Sequence, residues 1–379
     1  MRKLIALFGL LFMAAPLFAA GPSQVATLDR SVWPDPIDSP AAFDRASRAE
    51  LLAFGRALSE SEQLDDDALR DRLKLKSLDR GSVEHMRSVY WHRLAANYAL
   101  AASHCTPAEP FCAAGSGESA LREAAAHLSV AAEDRYGAWF QAAQRFHRNY
   151  LSELLRLAAL FPKTSSEVQT YSPRELSGNE LADREFLLTF DDGPTAANGN
   201  TDAMLAILRQ QRVNATFFLL GERLQSRLQQ TPEAQLAANY RGMCTGAHGW
   251  EHKSHSTWPE WQNSIELSIG LVRSQLPDSF VPLFRPPYGQ READSGKFFD
   301  DHVLRVTLWN IDSQDWNAKV DADHVKQRVM TLMLLWRHGV ILFHDIHAKA
   351  QTAVPWLVDQ TRTSGVHWID CHAFPPTGR

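Results

Sequence analysis

Two adjacent carboxylates, Asp191 and Asp192, stand where an apolar segment from 186 to 190 ends and a Gly-Pro turn begins. This pattern predicts a buried strand that delivers two acids to the edge of a sheet. Neighbouring carboxylates repel each other, so the pair is tolerable where one binds a metal and the other is held by a cation or transfers a proton. Taken alone, the segment is equally compatible with a strand followed by a solvated Asp-Gly turn.

Two histidines four residues apart, His248 and His252, can converge on one metal ion. An Asp from elsewhere would complete a His, His, Asp set with one position open for water. The same segment matches the His-x-x-Glu-His signature of inverted zinc peptidases. That alternative needs a long helix and a later Glu ligand, and Gly249 and Pro259 disfavour the helix, while Glu292 is the last Glu in the chain. The peptidase alternative is therefore disfavoured.

Three more polar clusters follow apolar segments in the second half of the chain. They begin at Arg285, Asp312 and Leu342 and read Arg-Pro-Pro-Tyr-Gly, Asp-Ser-Gln-Asp-Trp and Leu-Phe-His-Asp-Ile-His. A double-Pro turn can fix a guanidinium against a carboxylate and aim a backbone N–H group into a cleft. Each cluster alone is compatible with an ordinary turn at the end of a strand. Their recurrence at predicted strand ends indicates one built site.

The elements that would position these clusters alternate between strands and helices. Apolar segments predict strands at 186–190, 215–220, 306–311 and 340–343, and helical periodicity predicts helices at 201–212, 265–275 and 324–336. A strand, helix, strand order is typical of a parallel sheet, whose strands present their carboxyl ends at one edge. We therefore expect an α/β fold with the polar clusters gathered at that edge.

The first half of the chain carries helical patterns and no predicted chemistry. Amphipathic segments between 43 and 161, including an Ala-rich helix at 121–132, predict an antiparallel helical bundle. The histidines of this half are too scattered to grip one ion and are predicted to be surface or core residues: His85, His92, His104, His127 and His147. The polar stretch 164–183 predicts a linker, so we expect domains at 21–163 and 184–379.

Composition and the N-terminal segment limit the classes of protein to which this chain can belong. With 379 residues, 45% of them hydrophobic, the chain can bury a large core, and its formal net charge of −5 leaves no electrostatic footprint for nucleic acid. Residues 1–20 combine two cations, a short apolar segment and small residues, which predicts a cleaved signal peptide. We expect an exported, periplasmic or secreted protein without stable membrane insertion, with an uncleaved anchor as the alternative.

Four cysteines in an exported chain predict disulfides, although an even count does not set their connectivity. Cys105 and Cys112 flank a Pro-containing loop and are expected to pair locally. Cys244 and Cys371 are the remaining pair. The chain contains no Cys-x-x-Cys, which disfavours a cysteine-based zinc site.

On these residues, the second half closely resembles the NodB-type polysaccharide deacetylases, carbohydrate esterase family 4. The resemblance runs from about residue 185 to the C-terminus and includes all five family motifs in order. It implies a distorted (β/α) barrel with the site on its carboxyl rim, preceded here by an all-α helical N-terminal domain whose role is open. It also implies an acetylated polysaccharide as partner and a divalent metal, usually zinc, although a His, His, Asp set accepts cobalt or nickel. The sequence does not indicate an oligomeric state.

The resemblance also implies a role for each motif residue. It implies that Asp191 is the general base and that Arg285 is the cation that holds it. The implied metal ligands are Asp192, His248 and His252. His344 would be the general acid, and Asp315 the carboxylate that adjusts the pKa of this acid. For the substrate it implies Tyr288 as oxyanion N–H donor and groove border, Trp316 as groove wall and Leu342 as acetate-pocket residue. Gly249 departs from the family, which usually has a Ser or Thr hydroxyl there to brace the metal loop.

The expected reaction is hydrolysis of N-acetyl groups from a polysaccharide that contains N-acetylglucosamine. An O-acetyl esterase on the same scaffold is one alternative, and acetate release from acetylated chitooligosaccharide against acetylated xylan separates the two. A catalytically silent carbohydrate-binding protein is another alternative. It is disfavoured because the acids, the histidines and Arg285 are all retained.

Overall fold

The computed structural model describes residues 24–106, 109–112, 115, 117–160 and 171–375. The predicted signal peptide at 1–20 and residues 164–170 of the predicted linker lie outside them. The rest of that linker reaches the sheet, because Leu176 forms a parallel bridge with Thr307. No helix within the described ranges has the length and apolar character that crossing a membrane requires.

Five helices make up most of the first half of the chain: α1 (Pro40–Glu62), α2 (Asp66–Leu73), α3 (Arg80–Leu100), α4 (Glu118–Ala126) and α5 (Gly137–Leu160). The first three begin after a side-chain cap. Ser39, Asp65 and Asp79 each accept a hydrogen bond from the backbone N–H group three residues later. The helical character predicted for this half is confirmed.

The Ala-rich helix predicted at 121–132 is wrong at its C-terminal end, since α4 stops at Ala126. Tertiary contacts override the helical propensity of the alanines that follow. The carbonyl of Leu128 accepts a hydrogen bond from Arg56 of α1. The chain then turns into α5 at Gly137, where the carbonyl oxygen of Ala131 lies 2.5 Å from the place a Cβ would occupy.

Eight strands form one sheet in the second half: β1 (Glu185–Asp191), β2 (Thr216–Leu219), β3 (Cys244–Ala247), β4 (Phe280–Phe284), β5 (Arg305–Val306), β6 (Ile311–Asp312), β7 (Gly339–His344) and β8 (His367–Trp368). All their pairings are parallel. The order is β5-β4-β3-β2-β1-β7-β6, and β8 pairs with the start of β1. Because β5 and β6 are not neighbours, the described sheet is an open half-barrel, which confirms the predicted α/β fold, a distorted barrel of the NodB type.

Helices connect most of these strands: α6 (Asn200–Gln211), α7 (Gly221–Leu228), α8 (Glu233–Tyr240), α9 (Trp261–Gln275), α10 (Gly296–Asp301), α11 (Ala322–Trp336) and α12 (Lys349–Gln360). The helices predicted at 201–212, 265–275 and 324–336 correspond to α6, α9 and α11. A βα rhythm therefore runs through the second half, as the periodicity predicts.

The single strand predicted at 306–311 is wrong, because the segment forms the two short strands β5 and β6 with residues 307–310 between them. Competing hydrogen bonds are the reason. The carbonyls of Thr307 and Leu308 accept N–H groups of the buried Arg285 guanidinium at 2.9 and 3.0 Å. Because these carbonyls bond to Arg285, they do not bond to the backbone of a neighbouring strand at the place where the described sheet is open.

Side chains alternate between the two faces of β1 and β7. Phe190 stacks on Phe343 with ring centroids 5.8 Å apart, and both belong to the apolar cluster that continues into the surrounding helices. Asp191 and His344 follow them and are paired in the strand register. They therefore emerge together on the inner face at the end of their strands.

The two halves of the chain pack directly on each other through α11. Asp44 of α1 forms a buried ion pair with Arg337 at 2.8 Å, and Glu153 of α5 forms one with Arg328 at 2.7 Å. A buried charge left without its partner costs about 3–5 kcal/mol, so these pairs fix how the halves meet. The division into domains at 163 and 184 stays a prediction.

Aromatic rings reinforce this contact. Trp336, at the end of α11, packs against Phe54 of α1 with ring centroids 5.7 Å apart and against Tyr90 of α3 at 6.0 Å. Its indole N–H donates to the hydroxyl of Tyr150 of α5 at 2.9 Å. One continuous apolar cluster therefore includes residues of both halves.

Both expected disulfides are present. Cys105 pairs with Cys112 across a local loop, and Cys244 pairs with Cys371, with Cα atoms 5.5 and 6.0 Å apart. The second bond ties the segment after β8 to the beginning of β3. It thereby anchors the end of the described chain on the sheet.

Replacing Trp336 with Ala should lower the free energy of unfolding by about 3–5 kcal/mol, because a large buried ring that both halves share is removed. Chemical denaturation followed by far-UV and near-UV circular dichroism measures the change. Leu267→Ala on α9 is the control, since Leu267 is 48% exposed and its loss should cost less than about 0.5 kcal/mol. A Trp336→Ala variant as stable as the control would contradict the shared core.

Candidate active site

The predicted polar clusters meet at the carboxyl edge of the sheet. Asp191 ends β1, His248 follows β3, Arg285 follows β4, Asp315 lies just beyond β6 and His344 ends β7. Because all the pairings are parallel, these ends share one edge. The structure thus brings together residues that the sequence separates by more than a hundred positions.

A buried ion pair joins Arg285 to Asp191. Nη1 of Arg285 donates to Oδ1 of Asp191 at 2.8 Å and to the hydroxyl of Thr189 at 2.8 Å. The remaining nitrogens are taken by the carbonyls of Thr307 and Leu308. Burial lowers the pKa of the guanidinium while Asp191 opposes that shift, and an arginine keeps its charge in either case. Asp191 is therefore held through one oxygen by a fixed cation.

Asp192, His248 and His252 place their ligand atoms within 4.8 Å of one another. Nε2 of each histidine lies 3.4 Å from Oδ1 of Asp192. Nδ1 of His248 donates to the carbonyl of Arg285 at 2.7 Å, which leaves Nε2 as the free ligand atom of the ring. Burial lowers the pKa of His252 to about 4, so its imidazole is neutral, as a metal ligand must be.

This cluster fits a divalent transition metal. Oδ1 of Asp192 is buried and has no hydrogen-bond partner among the described residues, an arrangement that costs free energy unless something else satisfies it. Burial alone would raise the pKa of Asp192, but the close approach of the His248 ring at 3.4 Å lowers it well below its usual value. Ligand atoms about 2.0–2.1 Å from a tetrahedral ion lie roughly 3.4 Å apart, which is the spacing found between Asp192 and each histidine.

His344 is bound to Asp315 by two hydrogen bonds. Its Nδ1 lies 2.8 Å from Oδ1 of Asp315, and its backbone N–H donates to Oδ2 at 2.8 Å. Burial alone would lower the pKa of His344, but the charge and hydrogen bond of Asp315 raise it to about 10. The imidazole is therefore protonated at neutral pH, with Nε2–H as its free donor.

The three predicted substrate residues border the same edge. Tyr288 is 55% exposed, and its ring centroid lies 4.5 Å from that of His252. Its backbone has φ +60 and its N–H group donates to none of the described residues, so the donor is free. Trp316 is half-buried beside Asp315, and Leu342 is buried on β7, two residues before His344.

A hydroxyl from another part of the chain lies beside Gly249, 3.2 Å from the place where its Cβ would be. Ser264 on α9 accepts a hydrogen bond from the backbone N–H of Trp250 at 2.8 Å and lies 3.2 Å from Nε2 of the buried His255. Gly249 has φ +88, and Cε1 of His255 lies 2.7 Å from the place where its Cβ would be. The imidazole of His255 thus packs beneath the metal loop outside the ligand cluster, and His347 is half-buried with its ring 6.0 Å from that of His344.

No role follows from the sequence alone for two supporting residues, Asp345 and Ser264. Asp345 is buried, accepts a hydrogen bond from Thr201 at 2.6 Å, and lies so close to Gly193 that a Cβ there would be 2.2 Å from its Oδ2. Burial raises the pKa of Asp345 to about 7. Its position beside His344 is a sequence signal, whereas Ser264 looks like any polar residue of a helix.

Known proteins are similar to this chain. The family model for polysaccharide deacetylase matches residues 178–307. The peptidoglycan-N-acetylglucosamine deacetylase of Bacillus cereus is 30% identical over 229 residues, which cover 58% of this chain and 79% of that protein. Chitin deacetylase 1 of Saccharomyces cerevisiae is 32% identical over 166 residues, covering 41% of this chain and 50% of that protein. A solved family 4 carbohydrate esterase from Streptomyces lividans, in complex with acetate, superimposes with a TM-score of 0.41 and 28% identity over 49% of this chain and 93% of its own.

Replacing Asp315 with Asn should lower the pKa of His344 from about 10 toward the usual imidazole value of about 6.5, because the charge is removed and the size is kept. NMR titration of the metal-free protein measures this. The wild-type pair stabilises the fold fully below about pH 6.5, and this contribution is lost as the pH rises through about 10. The wild-type advantage in free energy of unfolding over Asp315→Asn should therefore shrink across that interval.

The control for this titration is Asp359→Asn, because Asp359 is exposed on α12 and pairs with Arg362, three residues later. It should leave the midpoint of His344 where it is in the wild type. An unchanged midpoint in Asp315→Asn would show that the carboxylate does not set the protonation of His344.

Proposed function

The chain belongs to the polysaccharide deacetylase family, and on that premise we propose that it is a metal-dependent hydrolase that removes N-acetyl groups from a polysaccharide containing N-acetylglucosamine and releases acetate. The observation that carries the proposal is the meeting, at one sheet edge, of a metal-type cluster, a carboxylate held by an arginine and a histidine held by a carboxylate. This combination of groups is what hydrolysis of an unreactive amide requires.

Asp192, His248 and His252 would hold the metal ion, for which we propose zinc, with cobalt or nickel as alternatives that the same ligands accept. A bound divalent ion supplies positive charge that polarises the acetyl carbonyl and lowers the pKa of a water molecule. The unpaired buried oxygen of Asp192 is the structural support for this assignment.

Asp191 is proposed as the general base. Its Oδ1 is occupied by Arg285, whereas Oδ2 lies 3.8 Å from Nε2 of His248 and is free to accept a proton. The arginine holds the orientation of the carboxylate, so the proton from the attacking water passes to a fixed atom.

The developing oxyanion would be met by the backbone N–H group of Tyr288, which donates to none of the described residues and whose ring packs against that of His252. Leu342 supplies an apolar surface for the acetyl methyl group. The exposed ring of Tyr288 and the half-buried ring of Trp316 would flank the sugar.

His344 is proposed as the general acid. Its Nδ1–H is committed to Asp315, so its Nε2–H is the proton given to the departing sugar nitrogen. Protonation of that nitrogen lets the carbon–nitrogen bond break and leaves acetate and an amino sugar. A raised pKa keeps this proton in place near neutral pH.

Peptidoglycan and chitin-like chains both carry the acetamide that this site would cleave. The Bacillus cereus relative is named for peptidoglycan N-acetylglucosamine and the yeast relative for chitin, and each is similar to part of this chain. We propose an exported location, periplasmic or secreted. The supports are the signal-like residues 1–20 and two disulfides.

Two neighbouring substitutions should separate the proposed roles. Asp191→Asn should keep one zinc ion per chain but reduce deacetylation by about 10²–10⁴-fold, because the proton acceptor is lost and the ligands remain. Asp192→Asn and His248→Ala should both lose the metal. Metal content after zinc loading and desalting, together with acetate release from an acetylated chitooligosaccharide, measures both effects.

The same substitution at the exposed Asp359 is the control and should change neither quantity. Substantial turnover by Asp191→Asn would remove that residue as the base. A full complement of zinc in His248→Ala would remove that histidine from the ligand set.

A further inference from the structure

Arg328 connects the helical half of the chain to the loop that carries Asp315. This side chain lies on α11 and is 1% exposed. Its Nε donates to the carbonyl oxygen of Asp312 at 2.9 Å. Asp312 is the last residue of β6, and Asp315 follows three residues later. The guanidinium therefore holds the backbone at the point where the loop leaves the sheet.

The other nitrogens of Arg328 are held by the first half of the chain. Nη2 donates to Oε2 of Glu153 at 2.7 Å, and Nη1 donates to Oε1 of Glu153 at 3.2 Å and to the carbonyl of Ala26 at 2.9 Å. The backbone N–H of Ala26 in turn donates to Glu153 at 2.5 Å. Glu153 and Ala26, both buried, thus accept hydrogen bonds along one edge of the guanidinium.

The loop between Asp312 and Asp315 is tightly specified. The carboxylate of Asp312 accepts the backbone N–H and the side-chain amide of Gln314, both at 2.8 Å. Gln314 adopts φ +60, a left-handed conformation that a residue with a side chain keeps only where its surroundings impose it. The backbone N–H of Asp315 donates to the hydroxyl of Ser313 at 3.2 Å. A displacement of Asp312 would therefore be passed on to Asp315.

Asp315 must itself be placed accurately, because both of its oxygens bind His344. We propose that Arg328 is a positioning residue for the deacetylation reaction, and that Glu153 and Ala26 of the helical half hold Arg328 in place. Its effect on turnover rests on the proposed function, whereas its effect on the Asp315–His344 hydrogen bond does not. The helical half would therefore help to position His344, the proposed general acid, through Arg328 and Asp315.

Lysine cannot replace Arg328 in this arrangement. A planar guanidinium reaches a carboxylate with one edge and a carbonyl with its Nε, while an ammonium group occupies a single point and cannot satisfy both sides at these distances. Arg328→Lys keeps a positive charge beside Glu153. It either loses the hydrogen bond to the carbonyl of Asp312 or weakens both that bond and the ion pair with Glu153.

Arg337, the residue that directly follows the same helix, offers a matched comparison. It is also fully buried, and it also pairs with an acid of the helical half, Asp44, at 2.8 Å. Its other partner is Asp183, and among the described residues it makes no hydrogen bond or ion pair with the loop of Asp315. Arg337→Lys therefore removes a similar interface contact without touching the loop.

The test compares the full-length, zinc-loaded Arg328→Lys and Arg337→Lys variants below the melting temperature of both. Arg328→Lys should lower kcat on an acetylated chitooligosaccharide by about tenfold to a hundredfold, with KM and zinc content unchanged, because the proposed acid is displaced while binding groups remain. The low-field NMR resonance of the His344 Nδ1 proton should weaken or shift in the same variant. Arg337→Lys should lose comparable thermal stability and keep both kcat and that resonance.

If Arg328→Lys does not fold, Glu153→Gln is the milder replacement, with Asp44→Asn as its control. A folded Arg328→Lys or Glu153→Gln with wild-type kcat and a wild-type His344 resonance would overturn the proposal. An equal change in Arg337→Lys or Asp44→Asn would overturn it as well, since the effect would then follow interface stability alone. A wild-type protein that releases no acetate would refute the proposed function, and the resonance would still test the positioning role.

Discussion

The site depends on the buried ion pair between Arg285 and Asp191. Two adjacent carboxylates at a strand end repel each other, and a fully buried arginine neutralises one of them. Asp192 then faces the two histidines, with which it could hold a metal ion. Removing one partner of such a pair leaves an unpaired buried charge, at a cost of about 3–5 kcal/mol. The separation of Asp191 and Asp192 into different tasks rests on this cation.

The same cation shapes the sheet. Arg285 takes the carbonyls of Thr307 and Leu308, which splits the strand expected there into β5 and β6 and leaves the half-barrel open beside the site. Arg328 makes a similar pair of contacts further from the site, because it binds the carbonyl of Asp312 on one side and the carboxylate of Glu153 on the other. Each of these two buried arginines thus joins a backbone carbonyl to a carboxylate from a different part of the chain, with directional hydrogen bonds that apolar packing does not provide.

The strand-end clusters were predictable from the sequence because each one is local: an apolar segment, then acids, histidines or a Pro-Pro turn. Parallel order then places them at one edge, and the resemblance to a family assigns their roles. The brace from Ser264 to Trp250 and the support of Arg328 by Glu153 carry no local signal. They join residues far apart in the sequence, and a Ser or Glu on a helix is ordinary. The early end of α4 has no local signal either, since the carbonyl of Leu128, just beyond it, bonds to Arg56 of α1.

The central claim is that this edge of the sheet hydrolyses an N-acetyl group on a glycan. The most direct measurement incubates the purified, zinc-loaded protein with a defined N-acetylglucosamine oligosaccharide and quantifies acetate and new primary amines in the same reaction. The account predicts that both appear in equal amounts and that a chelator abolishes both. Acetate without amines from an O-acetylated glycan, or neither product from any N-acetylated glycan, would contradict it.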